Sequence, residues 1–282
     1  MKNSRRSFIQ KTALGITGSV TLPILCKADS FKNTYFKKET NLLVGIAGYT
    51  FAKFDVDKSI EMMKRLDIHN LSIKDMHLPL NSTDEKIKEV LTKFNNANVK
   101  IYTVGVIYMK TKQEVDTAFD YAKKVGVNML VGVPTYDLLD YTEQKVKAMD
   151  MKIAIHNHGP EDALYPGPQN VYEHIKNRDQ RMGLCLDIGH ATRAGANLEK
   201  AIKDYRDRLF DLHIKDVTDA VKDAKAIEIG RGVINFNSLI VALNKINYKG
   251  VCSIEFEKDM TDPLPGIAES TGFFRGVLAS IA

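Results

Sequence analysis

Eight side chains capable of acid–base or metal-binding chemistry fall in pairs along the second half of this 282-residue chain. They are His156 and His158, Asp187 and His190, His213 and Lys215, and Glu255 and Glu257. From His156 to Asp187, His213 and Glu255 the steps are 31, 26 and 42 residues. Each step fits one strand–loop–helix unit, the last with a longer loop, so the four residues hold equivalent places in successive units. Strand alternation puts Cys185 with Asp187 on one face, and His213 with Lys215 on one face.

Two imidazoles and two carboxylates converging from neighbouring strand ends are costly to bury unpaired. A divalent cation satisfies them together. The mixed nitrogen and oxygen set of His156, Asp187, His213 and Glu255 suits Mn, Co, Zn or Fe, with Mg also admissible, better than Ca, which prefers oxygen alone. Two carboxylates balance the 2+ charge and leave positions for substrate oxygens, making the ion a Lewis acid. Each residue alone also has an ordinary explanation. A histidine at a strand end is commonly a structural hydrogen-bonder, Asp187 would serve as a helix N-cap, and Glu255 would pair with Lys258 or Arg193. The convergence of four, not any single one, points to a metal.

Around that set, Glu255, Lys215 and His158 are the candidates for moving protons. Lys215 acts as a base only if burial and the cation lower its pKa; otherwise it holds substrate hydroxyls or pairs with Asp216. His190 is placed to orient substrate. Lys74 and His77, after the second apolar run, would close the other side of the pocket, Lys74 being a further candidate base. Tyr49, Phe51 and Tyr136 would form apolar walls of that pocket. His69 and His174 fall outside this constellation.

Residues so spaced need a scaffold that repeats. Beyond about residue 40, eight apolar runs recur at 41–49, 70–76, 99–109, 128–136, 151–158, 182–190, 209–217 and 250–257. Between them lie helix-period segments such as DKSIEMMKRLD, STDEKIKEVLTKFNNAN, TKQEVDTAFDYAKKVG, NLEKAIKDYRDR and NSLIVALNKIN. Several open on Asp, Ser, Thr or Asn as N-caps, and two end near Asn98 or Gly126. A last helix is predicted from about Gly266 to Ile281. This alternation predicts an α/β fold, a single-domain (β/α)8 TIM barrel over residues 41–282, with its active site at the C-terminal ends of the strands. A doubly wound sheet is disfavoured because no G-x-G-x-x-G follows an early strand; Gly230-Arg231-Gly232 comes too late.

The N-terminus carries a different signal. Ser4-Arg5-Arg6-Ser7-Phe8-Ile9-Gln10-Lys11 and the apolar run to Leu25 match a Tat-type export signal over residues 1–28, followed by a linker at 29–40. Leu25 before Cys26 fits a lipoprotein anchor poorly, and cleavage after Ala28 is at least as good a reading. The expected location is therefore periplasmic or otherwise extracytoplasmic. The five cations of those 28 residues, which hold no Asp or Glu, account for the whole formal charge of +5. The rest is balanced, which argues against a nucleic-acid partner. No membrane span is expected, and a homo-oligomer is left open. Cys185 and Cys252 sit in strand-like runs and read as buried free thiols.

The motifs IAIHNHG, CLDIGH, LHIKDV, EIGRGVINF and CSIEFEKD resemble the xylose-isomerase-like barrel superfamily of sugar isomerases and epimerases. The resemblance spans about residues 40–282, and the inosose dehydratase branch is the most similar in pattern. It implies a single divalent metal on His156, Asp187, His213 and Glu255, with Glu255 both ligand and base. Many ketose epimerases have Glu at the position of His156, so this chain lacks half of a symmetrical two-glutamate pair. Chelation of a carbonyl and its neighbouring hydroxyl would acidify the C–H between them. Isomerisation, epimerisation and β-elimination share that first step. Asn157-His158 and the dehydratase-like pattern favour elimination from a non-phosphorylated keto-sugar or keto-glycoside, and no Gly-rich phosphate cradle is present. An aldose–ketose isomerase or ketose 3-epimerase is the alternative within the class. Outside it stand a non-catalytic periplasmic sugar-binding protein and an abasic-site endonuclease, the latter needing a basic DNA track that is missing.

Overall fold

In the computed structural model, which describes residues 42–281, the apolar runs become eight strands. They are β1 (Leu43–Ala47), β2 (Asn70–Ile73), β3 (Lys100–Met109), β4 (Met129–Pro134), β5 (Lys152–His156), β6 (Met182–Asp187), β7 (Leu209–Ile214) and β8 (Val251–Ile254). All pair in parallel in the ring order β1–β8–β7–β6–β5–β4–β3–β2, and the β1–β8 pairing closes the barrel. Parallel strands covered outside by helices are buried on both faces, which explains why the runs are continuously apolar instead of alternating. The predicted export signal and linker, residues 1–40, lie outside the described residues.

The helices are α1 (Val56–Leu66), α2 (Asp84–Asn96), α3 (Lys112–Val125), α4 (Leu139–Met149), α5 (Pro168–Ile175), α6 (Ile188–Arg193), α7 (Leu198–Asp204), α8 (Phe236–Lys245) and α9 (Leu264–Ile281). Their starts are written in the sequence. Asp55, Thr83, Asn197 and Asn235 each accept a backbone N–H three residues on. Thr111 and Glu114 make a reciprocal capping box, satisfying donors that helix geometry leaves unpaired. Helix α3 ends at Gly126 with φ +82°, a left-handed cap that costs glycine little. It buries Val115, Ala118, Phe119, Ala122 and Val125 against the barrel, one stripe at helical spacing. Two short helices follow β6, and β7 runs into a two-stranded ribbon, Asp216–Val217 with Ala226–Ile227. No helix among the described residues is long and apolar enough to cross a membrane.

The extents of the last four predicted strands are corrected. The fifth run stops at His156, the sixth at Asp187, the seventh at Ile214 and the eighth at Ile254, so His158 stands on a loop and His190 on α6. Lys215, Glu255 and Glu257 therefore stand on the loops that leave the barrel, not in it. Cys185 and Cys252 are buried and free.

Candidate metal centre and active site

The ends of β5, β6, β7 and β8 bring His156, Asp187, His213 and Glu255 together, one ligand-capable atom of each lying within 4.8 Å of all the others. His156 Nε2 is 3.5 Å from Asp187 Oδ2, and His213 Nδ1 is 3.4 Å from Glu255 Oε2. The four are nearly inaccessible, at 2%, 0%, 1% and 6% exposure. Yet both nitrogens of His156 and both of His213 lack hydrogen-bond partners, and Asp187 Oδ2 has only the ion-pair contact of Lys215. So many unpartnered atoms around one centre are rare in a buried site unless an ion completes them. The donor set fits a divalent metal with mixed nitrogen and oxygen preference.

Asp187 does two jobs. Its Oδ1 accepts the backbone N–H of His190 at 2.8 Å and caps α6, while Oδ2 faces the centre, 3.5 Å from His156 Nε2 and 3.0 Å from Lys215 Nζ. Its backbone is clamped by the fully buried Asn157, whose Oδ1 accepts Asp187 N–H at 3.0 Å and whose Nδ2 donates to Asp187 C=O at 3.1 Å. The side-chain amide thus extends the β5–β6 ladder and fixes the ligand's position.

Lys215 enters from the ribbon side. Its Nζ lies 3.0 Å from Asp187 Oδ2, 2.7 Å from Glu255 Oε2 and 2.5 Å from Glu257 Oε1. Burial works against its ammonium, but the three carboxylates outweigh it and hold its pKa well above the usual lysine range. Lys215 is therefore held as an ammonium that donates hydrogen bonds to these carboxylates. It does not pair with Asp216, and Glu255 pairs with neither Lys258 nor Arg193, which bind Glu228 and Glu161. The stem of Lys215 passes over Gly189, where a Cβ would come within 2.3 Å of Lys215 Cγ. The glycine of CLDIGH leaves room for this lysine. Asp216 instead receives the backbone N–H groups of Val217, Gly230, Gly232 and Ile234. That accounts for the late G-R-G as a loop wrapped on a buried carboxylate.

A second group lines the same cavity as the ligand set. His158 Nε2 is 2.8 Å from the Tyr108 hydroxyl, and its Nδ1 is 3.3 Å from Asp162 Oδ2. Asp162 favours the proton on Nδ1, which leaves Nε2 to accept from Tyr108. Burial lowers the His158 pKa, with Asp162 opposing. Burial also carries His156 down to about 3 and His190 down to about 4, so these rings are neutral and able to bind a cation through nitrogen. His213 sits above its usual value because Glu255 outweighs its burial. Burial alone would raise Glu255, but Lys215 and His213 hold it well below the carboxylate range.

A cavity of about 450 Å³ covers the centre, lined by His156, His158, His190, His213, Glu255 and Glu257 on one side. Tyr49, Lys74, Met76 and Tyr108 line the other. Lys74 Nζ donates to Val106 C=O at 2.7 Å and lies 2.8 Å from Asp75. Two predicted wall residues are not brought there. His77 turns inward, where its Nε2 donates to Phe51 C=O at 3.1 Å and ties two loops together. Tyr136 sits in a turn beyond β4 and stacks on His174 with ring centres 3.9 Å apart. Phe51 is wholly buried beneath the site. Tyr108 and Asp162 are not singled out by the sequence, which marks Asn157 only as half of a dipeptide and Arg193 only as a partner for Glu255. Tyr108 was concealed because β3 shifts register between Val104 and Ile107, which spoils parity counting along the strand.

A closed parallel barrel whose last four strands deliver a His/Asp/His/Glu set defines a (β/α)8 enzyme scaffold with a candidate metal centre. The chain belongs to the xylose isomerase-like TIM barrel family, whose profile matches residues 51–277, and so to the sugar isomerase/epimerase superfamily. It is 23% identical to an inosose dehydratase of Histophilus somni over 262 residues, 83% of this chain and 87% of that protein. It is 34% identical to an uncharacterized protein of Methanocaldococcus jannaschii over 89 residues, 31% of this chain but only 30% of that protein's length. Among solved structures, the IOLI protein with a bound zinc atom superposes with a TM-score of 0.72 at 17% identity, covering 86% of this chain and 99% of that one. The apo 3-keto-D-glucoside 4-epimerase YcjR of E. coli does so at 0.69 and 16% identity, covering 83% and 99%. These structural likenesses concern the fold.

Proposed function

We propose that this protein is a metal-dependent lyase that removes the proton α to the carbonyl of a non-phosphorylated keto-sugar or keto-glycoside and expels the β-substituent. The observation that carries the reading is the buried His156/Asp187/His213/Glu255 set, with Lys215 at its carboxylates and the Tyr108–His158 pair lining the same cavity. A divalent cation held there supplies Lewis acidity toward a carbonyl and its neighbouring hydroxyl. Tyr108 and His158 take the substrate proton: the phenol oxygen accepts from carbon as its own proton passes to Nε2. Lys215, an ammonium beside three carboxylates, protonates the departing oxygen. A symmetrical epimerase needs matched groups on both faces, whereas here the two sides differ in kind. The H. somni relative, named a dehydratase, supports the same direction. The Tat-like leader supports a site of action outside the cytoplasm, where substrates without phosphate are expected.

The test is incubation of a 3-keto-glycoside with purified protein and Mn, Co or Zn in deuterated water. The reading expects release of the aglycone. Unchanged glycoside with all three metals would sink it, and deuterium entering an intact sugar would assign an epimerase or isomerase instead.

A further inference from the structure

Beside the metal cavity lies a larger one of about 630 Å³, walled by α6, the ribbon 216–227 and the loop after β8. His190 and Glu257 border both cavities, so the two meet at the centre. Lys215, whose Nζ contacts Asp187, Glu255 and Glu257, also faces this annex. Arg193 braces the neck. It lies 3.2 Å through NH1 from His190 Nδ1, donates to the Lys222 carbonyl, and pairs with Glu161 at 2.8 Å. The annex is thus built and fixed, with a wall of Val217, Ala224, Ala226 and Ile227 behind it.

Its charges are uneven. Arg193 and Lys258 are neutralised by Glu161 and Glu228, and the three carboxylates around Lys215 balance its charge together with that of a divalent ion held in the centre. Lys222 and Lys225 line the same space without a carboxylate partner among the described residues, against one acid, Asp223. A single cation is left over. The opposite arm of the metal cavity shows Tyr49, Met76 and Tyr108, which are 40%, 43% and 51% exposed, a surface suited to the C–H face of a sugar ring.

We infer that the annex is the leaving-group subsite and that it takes a leaving group bearing one carboxylate. The inference rests on the elimination reading above. The keto-sugar lies over the metal ligands on the Tyr49–Met76–Tyr108 side, and its β-substituent passes Glu257 and Lys215 into the annex. One uncompensated cation matches a monoanion. The apolar wall fits the aromatic or aliphatic body that carries the charge.

The experiment uses a matched pair of 3-keto-glucosides with 4-hydroxybenzoate or 4-hydroxybenzamide as the aglycone, on the metal-loaded full chain at low salt. The benzoate glycoside should show a KM lower by about fivefold, the size expected of partly exposed charge pairs, and the gap should close in high salt. The variant carrying Lys222→Gln and Lys225→Gln, both exposed, should erase or reverse the gap, with KM rising more for the benzoate glycoside than for the benzamide glycoside. Equal KM values for the pair in the parent protein, or equal loss for both in the variant, would overturn the assignment. If neither glycoside is cleaved, the elimination reading fails, and the annex is tested separately by NMR titration. Free 4-hydroxybenzoate should then bind more tightly than 4-hydroxybenzamide in the parent but not in the variant. No preference, or tighter binding of phenyl phosphate, defeats the carboxylate assignment.

Discussion

The two halves of the barrel mouth are built from the same repeating unit and do opposite work. Strands β5 to β8 end in His156, Asp187, His213 and Glu255, four ionisable groups buried within reach of one another. Strands β1 to β4 end in or next to Tyr49, Lys74, Tyr108 and Pro134 and present mostly apolar surface. The fold imposes the radius and the direction of the strand ends on both halves, so this difference comes from side-chain choice alone. It teaches that the reactive half is held together by charge and the other by packing. Substitutions should therefore separate metal binding, proton transfer and substrate fit.

The largest effect should come from Asp187→Asn. Asparagine is as good an N-cap as aspartate, so α6 keeps its start while the centre loses one charge and one ligand atom. Adding Zn or Mn at about a hundred times Kd should stabilise the parent by about 2.7 kcal/mol, a rise of about 5–10 °C in melting temperature for a domain of this size. The variant should lose that rise, and its metal content and turnover should fall by at least about a hundredfold. A metal-induced shift of parental size in the variant would remove Asp187 from the ligand set.

Much of this half was legible because a repeating fold converts sequence spacing into spatial convergence. His156, Asp187, His213 and Glu255 were found from unit length, and the structure gathers them. What was not legible depends on loops and local irregularity. His77 and Tyr136 lie past strand ends, where the chain's next turn decides direction, and both turn away from the cavity. Tyr108 lies beyond a register shift in β3. The charge state of Lys215 needed the positions of three carboxylates, and no motif gives those. Asn157 was read only as half of a dipeptide, since its amide mimics a backbone ladder that exists only once β5 and β6 are paired.

Lys215→Met is expected to rank second and to act mainly on the metal-free protein. Methionine matches the stem's bulk but leaves Asp187, Glu255 and Glu257 without their shared cation. Breaking a buried ion pair in this way costs about 3–5 kcal/mol. Denaturant unfolding should show that loss without metal and a large recovery with it, since the metal replaces the missing charge. Turnover should stay low even when metal content is restored. Full recovery of turnover would deprive Lys215 of its role as proton donor.

Substitution of the proton-accepting pair comes next. His158→Gln should lower kcat by about a hundredfold, at the low end for removing an acid–base group. Tyr108→Phe, which keeps the ring and removes the hydroxyl, should lower kcat with metal content and melting temperature unchanged. A drop in metal content in the second variant would show that this wall supports the ligands instead of moving protons.

The smallest effect belongs to the packing half, and it decides whether the comparison is right. Tyr49→Ala and Met76→Ala remove exposed apolar surface that contacts neither His156, Asp187, His213 nor Glu255. If these residues only seat the sugar face, each removes binding felt equally in ground and transition states, raising KM by about fivefold, or about 1 kcal/mol, while kcat holds. The metal-induced rise in melting temperature should match the parent's. A fall in kcat at constant KM would mean that the apolar side also steers the reacting atoms. The division between a half that performs chemistry and a half that holds substrate would then be too simple, because seating the ring and aligning its C–H bond toward Tyr108 would be one act performed by the same surface.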